Sequence, residues 1–456
     1  MRIIIVGGGV VGSSLAQHLL KDDHKLALIE MDAGLCETLS QKLDVQILQG
    51  SGSSPENLRQ AGVTGADMVV AVTPNDEVNL VVCALAAQHD VPQRIARLRS
   101  PEFTSENALV DLESLGVTSV IHPEKVMADQ ILQFVTTPHA VESANFEEGR
   151  VLLRGFTMRE HMPMCGKTPS EIRQEIAPAV VLFAAIRRGR TGMIPTGNTR
   201  FEPGDIVYTL FPRDSLEPFL RLVGQEKKKS RKLIVTGDSY ASVQVAERLE
   251  KSDHHVTFVS PDYKQAELIA GKFGSLEVIH GDCTEVDFLR EINVDAASFF
   301  IALSDTDDYN IMSALLAKAE GAHEVVATTT ETRHGRLFNS IGIDHVINPR
   351  LTAARAILDI IARGHIGAVV ELSNIDIEAA RYIVEDESDI VGTKVKNIAK
   401  KFKAGAIIGI IVRDNRIILP DGETVIQADD HIIVITHHKH LSTLSKLFRP
   451  RGGLFG

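Results

Sequence analysis

The sequence predicts an α/β chain in which two tandem doubly wound parallel-sheet domains each lead into a crossover helix and a small α+β lobe. Three observations carry that expectation. A glycine-rich turn follows an apolar run at the very start, in Ile3-Ile4-Ile5-Val6-Gly7-Gly8-Gly9-Val10-Val11-Gly12. The same start recurs as Leu233-Ile234-Val235-Thr236-Gly237-Asp238-Ser239-Tyr240-Ala241-Ser242. After each, short apolar runs alternate with helical stretches, the pattern of buried strands in a sheet covered on both faces.

In the first half the expected strands are Ile3–Val6, Leu26–Ile29, Val45–Leu48, Met68–Val72 and Ile95–Leu98, with a helix over Val11–Leu20. In the second they are Leu233–Val235, Val256–Val259, Glu277–Ile279, Ser298–Leu303 and Val325–Thr328. His122-Pro123 and Asn348-Pro349 then open helices, because proline suits a first turn whose N–H groups lack helical partners. Met127, Ile131 and Phe134 stripe the first helix; Leu351, Ala354, Leu358 and Ile361 stripe the second. Each stripe suits packing on its own sheet or crossing to a neighbouring subunit or lobe. Matching hairpins follow: Val180–Ile186 turning at Arg188-Gly189 into Met193-Ile194-Pro195, and Ile407–Val412 turning at Asp414-Asn415 into Ile418-Leu419-Pro420. Further strands are expected at Ile206–Leu210 and Ile432–Thr436. The expected domains are 1–122 (sheet), 123–138 (crossover helix), 139–226 (lobe), 227–231 (linker), 232–348 (degenerate sheet), 349–364 (crossover helix) and 365–449 (lobe).

Composition limits the function classes. The chain has 456 residues, 44% hydrophobic and 24% charged, as soluble globular proteins do. Its longest apolar run, Ala404 to Val412, is far short of the ~20 residues of a membrane span. No charged-then-apolar leader precedes Ile3, so a cytosolic protein is expected. A net charge of −12 argues against a nucleic-acid backbone as partner. Cys36, Cys83, Cys165 and Cys283 are scattered without metal or disulfide spacing, which fits reduced thiols.

The first glycine turn sits where a dinucleotide fingerprint of a Rossmann-like domain belongs, between strand and helix. Gly7 permits the tight turn, Gly9 lets backbone approach a pyrophosphate, and Gly12 lets the helix pack on the strand. Phosphate would then meet the positive helix end near Val10. Glu30, ending the second strand, would accept ribose hydroxyls and repel a 2′-phosphate, which disfavours NADP. The second copy puts Ser239 at the place of Gly9, Ser242 at Gly12, Ser260 at Glu30 and Thr328 at Arg97. That site binds weakly, binds another ligand, or is empty.

These features together resemble the TrkA family, cytosolic regulatory subunits of bacterial Trk potassium uptake systems with tandem regulator-of-potassium-conductance (RCK) domains. Gly7, Gly9, Gly12, Glu30, Gly50-Ser51-Gly52-Ser53, Thr73-Pro74-Asn75-Asp76-Glu77-Val78-Asn79 and Ala96-Arg97-Leu98-Arg99-Ser100-Pro101-Glu102 carry the resemblance. Ser304-Asp305-Thr306-Asp307-Asp308-Tyr309-Asn310 echoes it. The resemblance implies NAD(H), or ATP or ADP, bound at Gly7, Gly8, Gly9, Val10, Val11, Gly12, Glu30, Ser51, Gly52, Thr73, Asn75, Asp76, Glu77, Arg97 and Arg99. Arg97 and Arg99 match positions that reach phosphates, and Ser51 and Gly52 match the turn beside adenine. At Ser51 the family more often has aspartate. Asp76, Glu77 and Asn79 also suit capping of the following helix. The implied function is gating of a membrane potassium channel-like subunit (TrkH-like) by a homotetramer forming an eight-domain ring on the cytoplasmic face of the membrane.

Two rival classes remain at this point, an NAD-dependent dehydrogenase and a nucleotide-dependent scaffold. A dehydrogenase needs an acid or base beside the nicotinamide. His161, His365, His437, His438 and His440 offer little of that kind, so a non-enzymatic protein without a metal site is expected.

Overall fold

The computed structural model describes residues 1–20, 24–104, 108–225, 231–252, 254–330, 338, 341–362, 367–372, 375–401 and 405–448. Most of the 227–231 segment, His365 and Ala404 therefore lie outside the described residues. The first sheet holds β1 (Arg2–Val6), β2 (Lys25–Glu30), β3 (Gln46–Gln49), β4 (Met68–Ala71), β5 (Gln93–Arg97) and β6 (Ser119–Ile121). The first lobe holds β7 (Ala140–Phe146), β8 (Val151–Thr157), β9 (Leu182–Arg188), β10 (Thr191–Met193) and β11 (Ile206–Pro212). The second sheet holds β12 (Lys232–Thr236), β13 (His255–Ser260), β14 (Glu277–His280), β15 (Phe299–Ala302), β16 (Glu324–Thr328) and β17 (His345–Ile347). The second lobe holds β18 (Gly367–Glu371), β19 (Ile377–Ile383), β20 (Ala406–Arg413), β21 (Arg416–Ile418) and β22 (His431–His437).

The sequence halves interleave in space. Both parallel sheets fall in one compact unit, residues 1–132 with 229–358, and both lobes in another, residues 133–228 with 359–456. In the first unit the strand orders are β3-β2-β1-β4-β5-β6 and β14-β13-β12-β15-β16-β17, all parallel. Central strands are buried on both faces, which is why Ile3, Ile4 and Ile5 run without polar interruption. The order reverses between β1 and β4, the place where such sheets bind ligands at the carboxyl ends of their strands. Edge strands β6 and β17 were not expected; each has only two apolar residues, too few to show a period.

The crossover helices span Pro123–Thr136 and Pro349–Ala362. Met127, Ala128, Ile131 and Val135 are buried in the first, and Ala353, Ala354, Ile357 and Ile361 in the second. Phe134, Leu351 and Leu358 are only half-buried, so each stripe is rotated slightly from the expected one. Part of the first crossover helix touches the other half of the same chain. Arg248 Nη2 donates to Asp129 Oδ1 at 3.0 Å, and Thr352 Oγ1 donates to Gln130 Oε1 at 3.1 Å.

In the second unit the sheets run β10-β9-β11-β8-β7 and β18-β19-β22-β20-β21, with antiparallel pairing. Their inner faces share one apolar cluster, in which Leu153, Tyr208 and Leu210 join Ile377, Ile410 and Ile433. Glu147 seals the join by accepting from Arg381 at 3.0 Å and pairing with His431 Nδ1 at 2.8 Å. Arg188 and Asp205 form a bidentate pair at 2.8 Å for both contacts. Arg413 and Asp430 repeat it at 2.7 and 2.8 Å.

Candidate functional site

Everything at this site follows from how β1 turns into the helix Val10–Leu19. Gly7 has φ +105°, a region L side chains rarely adopt, and a Cβ there would stand 3.1 Å from Thr73 N. Its N–H donates to Ile29 O at 2.9 Å, holding the turn against β2. At Gly12 a Cβ would come within 1.9 Å of Gly7 O, so only glycine lets the helix lie this close to the strand. Val11 is buried and anchors the first turn, while Val10 is half-buried.

Gly9 is the N-cap and supplies no side-chain cap; nothing lies within 4 Å of where its Cβ would be. The start of this helix is thus uncovered at Gly9, with the positive end of the helix dipole behind it. Glu30 stands beside them. Its Oε2 accepts from Gly8 N at 2.5 Å, and its Oε1 from Met31 N at 2.7 Å and Asp32 N at 2.9 Å. A half-buried carboxylate pinned this way is held ready for further donors such as ribose hydroxyls. Leu39 closes the wall, 2.7 Å from a Cβ at Gly8.

The Gly50–Ser53 turn lies at the end of β3. Ser51 Oγ and Ser53 Oγ are 2.8 Å apart, and Asn57 Nδ2 donates to Ser51 O at 2.9 Å. Gly52 is packed against the base of the fingerprint, because a Cβ there would lie 2.0 Å from Val6 Cγ1.

After β4 the predicted residues divide into two roles. Asn75 caps the helix Asp76–Ala87 through Val78 N at 2.7 Å, and Asp76 Oδ2 accepts from Arg99 N at 2.9 Å and Ser100 N at 2.7 Å. Asn79 ties Thr73 to the end of β5, taking Thr73 N at 3.0 Å and donating to Arg97 O at 2.8 Å. These are frame contacts. Glu77 is exposed. Thr73 stays next to the glycine turn, with Oγ1 donating to Asn79 Oδ1 at 2.7 Å.

Arg97 and Arg99 form a second cluster. Arg97 Nε is buried without a hydrogen-bond partner. Burial first, then the nearby Arg99, pull its pKa below the usual guanidinium value, with Glu124 and Asp76 opposing. Arg99 Nε donates to Glu124 Oε1 at 2.8 Å. An orphaned guanidinium N–H of this kind suits an anionic partner. Glu124, Leu39 and Asn57 were not singled out from the sequence; for Glu124 the available signal was its replacement by Arg350 after the matching Asn348-Pro349.

At the second turn Ser239 Oγ accepts from Ser242 N at 3.1 Å and donates to Leu303 O. Ser260 Oγ and Gln265 Oε1 lie 2.9 Å apart, and Gln265 Nε2 donates to Asp238 O at 2.6 Å. Thr328 receives Asn310 Nδ2 at its carbonyl, 3.2 Å away. All four cysteines are unpaired, and among the described residues no group of three or more His, Cys, Asp or Glu could hold a metal.

The TrkA-N domain matches residues 3–123 and again 233–349, and the TrkA-C domain matches residues 379–449. The Trk system potassium uptake protein TrkA of Vibrio alginolyticus is 30% identical over 456 residues, covering 99% of this chain and 99% of that protein. The protein of the same name from Haemophilus influenzae is 29% identical over 456 residues, with 99% of each chain covered. The solved GsuK RCK domain superposes with a TM-score of 0.61 at 17% identity, over 98% of this chain and 94% of that one. The GsuK channel bound to NAD gives 0.61 at 18%, over 98% and 78%. At such identity the likeness to solved structures speaks to fold alone. Two TrkA-N domains, a TrkA-C domain and relatives that align from end to end show that the chain belongs to the TrkA family of Trk potassium-uptake proteins.

Proposed function

We propose that this chain is a non-enzymatic, nucleotide-sensing regulatory subunit that gates a TrkH-like membrane potassium transporter. The observation that carries the reading is the uncapped helix end at Gly9, open to solvent beside the pinned carboxylate of Glu30. NAD(H), or ATP or ADP at the same place, would set its phosphates on the helix end and its ribose on Glu30. The Ser51–Gly52 turn and Thr73 would border the base and phosphates, and Arg97 and Arg99 would reach the phosphate end. Asn75, Asp76 and Glu77 contribute through the helix they begin rather than by contact. The name shared by the full-length relatives, Trk system potassium uptake protein TrkA, supports the transport role.

A homotetramer forming an eight-domain ring has its own support. Val81 is 44% exposed and Leu115 37%, and their repeat equivalents Met312 and Ile341 are 52% and 45% exposed. Each sheet domain therefore shows solvent apolar side chains at the same two repeat positions, which suits repeated subunit contacts. Among the described residues no helix is long and apolar enough to cross a membrane, so attachment to the cytoplasmic face would come through the transporter.

A bound nucleotide shifts gating only by its difference in affinity between two arrangements of the ring. Calorimetry with NADH, NAD, ATP and ADP tests the reading. One nucleotide bound per chain is expected; two per chain would reassign the second domain, and none would remove the sensor role. Co-purification with the membrane subunit tests the partner.

A further inference from the structure

Glu124 is the second residue of the first crossover helix. Its side chain is only 8% exposed; Oε1 pairs with Arg99, while Oε2 is buried without a partner. Within electrostatic reach, Arg97 Nε is also buried and unpartnered. A buried carboxylate with one oxygen unanswered is held at a cost. Arg99 keeps its side chain 49% exposed and has room to swing.

The second half retains the frame beneath this pair and lacks the pair itself. Asp307 accepts from Thr330 N at 2.9 Å and from Thr329 Oγ1 at 2.7 Å, as Asp76 accepts from the Arg99 and Ser100 N–H groups. Thr330 stands at the place of Arg99 and Arg350 at that of Glu124. The ion pair thus accompanies the intact fingerprint, not the fold.

We propose that the Arg99–Glu124 pair sets nucleotide specificity: Glu124 stands in for a phosphate on Arg99 in the free protein, and a free terminal phosphate displaces it. The inference rests on the nucleotide reading above. Carboxylate and phosphate present similar paired oxygens to a guanidinium, so one can replace the other. ATP and ADP carry a terminal phosphate with that geometry and open the pair. NADH has both phosphates esterified within its pyrophosphate bridge and leaves the pair closed. Opening would free the head of a helix whose Asp129 and Gln130 bond Arg248 and Thr352 of the second domain, so the exchange is felt across the domain pair.

The test is calorimetry of the full chain with ATP, ADP and NADH. Glu124→Gln keeps the shape and removes the competing charge, so ATP and ADP should bind about fivefold tighter. Arg99→Ala should weaken them about tenfold, and the double variant should match Arg99→Ala because no pair is left to break. NADH should stay within about twofold in Glu124→Gln. Unchanged thermal midpoints establish that the variants fold. Wild-type protein that binds all three nucleotides, with Glu124→Gln unchanged or shifting NADH equally, overturns the pair alone. Wild-type protein that binds none overturns the site and the pair with it.

Discussion

The helix that follows β1 begins at Gly9 with no side-chain cap, whereas its counterpart after β12 begins at Ser239 and caps itself. Both turns use a glycine of positive φ, Gly7 at +105° and Gly237 at +146°, and both hold an asparagine latch, Asn79 or Asn310, behind the next turn. What differs is who satisfies the exposed groups. In the second domain Ser239 answers the helix end, and Gln265 bridges Ser260 to the Asp238 carbonyl where a ribose would lie. The change reaches inward too. Gly52 leaves no space beside Val6, but its equivalent Cys283 is buried where Thr236 and Tyr309 share a hydroxyl contact of 2.9 Å. One domain leaves its helix start without a side-chain cap; the other closes it with its own side chains.

Five variants sharpen or break this contrast, taken from the largest effect down. The Arg–Asp pairs of the lobes form a control, since Asp205 and Asp430 are 1% and 0% exposed and equally bonded. Asp205→Ala and Asp430→Ala should each destabilise by about 2–3 kcal/mol in urea unfolding, because each removes a buried carboxylate that accepts two arginine N–H groups and one backbone N–H. A large inequality between them would show that divergence was not confined to the nucleotide turns. Gly12→Ser imports the second domain's residue into a space 1.9 Å from Gly7 O and should cost about 1–3 kcal/mol along with nucleotide binding. A stable variant with normal binding would mean that the helix can retreat from the strand. Gly9→Ser faces open space, so stability should change by only a few tenths of a kcal/mol while nucleotide affinity falls about tenfold. Unaltered affinity in calorimetry would remove the phosphate from this helix end. Ser239→Gly, the reverse change, should cost only a few tenths of a kcal/mol and confer no measurable nucleotide binding, because Gln265 still bonds the Asp238 carbonyl beside the turn. Binding gained by that single change would show the second site to be intact beneath its cap.

Much of the fold was legible because its signals are local. Strands such as Met68–Ala71 are apolar throughout, and prolines mark both crossover helices. The lobes were read less completely. Their hairpins at Arg188-Gly189 and Asp414-Asn415 were visible, but β7, β8, β18 and β19 were not, since half-polar runs such as Glu142-Ser143-Ala144-Asn145 show no clean alternation. At the site, the glycines and Glu30 could be named from position in the strand–turn–helix unit. Asn75, Asp76 and Asn79 could be named but not given their separate contacts, because cap and latch differ only in which backbone groups fold back to meet them.

By itself the sequence determined the duplication, the parallel sheets and which copy kept the fingerprint, because glycine spacing and apolar runs act over a few neighbouring residues. Only the tertiary structure decided that the halves pair sheet with sheet and lobe with lobe, since contacts such as Arg248 with Asp129 and Arg381 with Glu147 join residues far apart in the chain. It also decided how the second copy closed. The serines that replace glycines state a loss; that Ser239 and Gln265 occupy the vacated positions depends on where their side chains can reach.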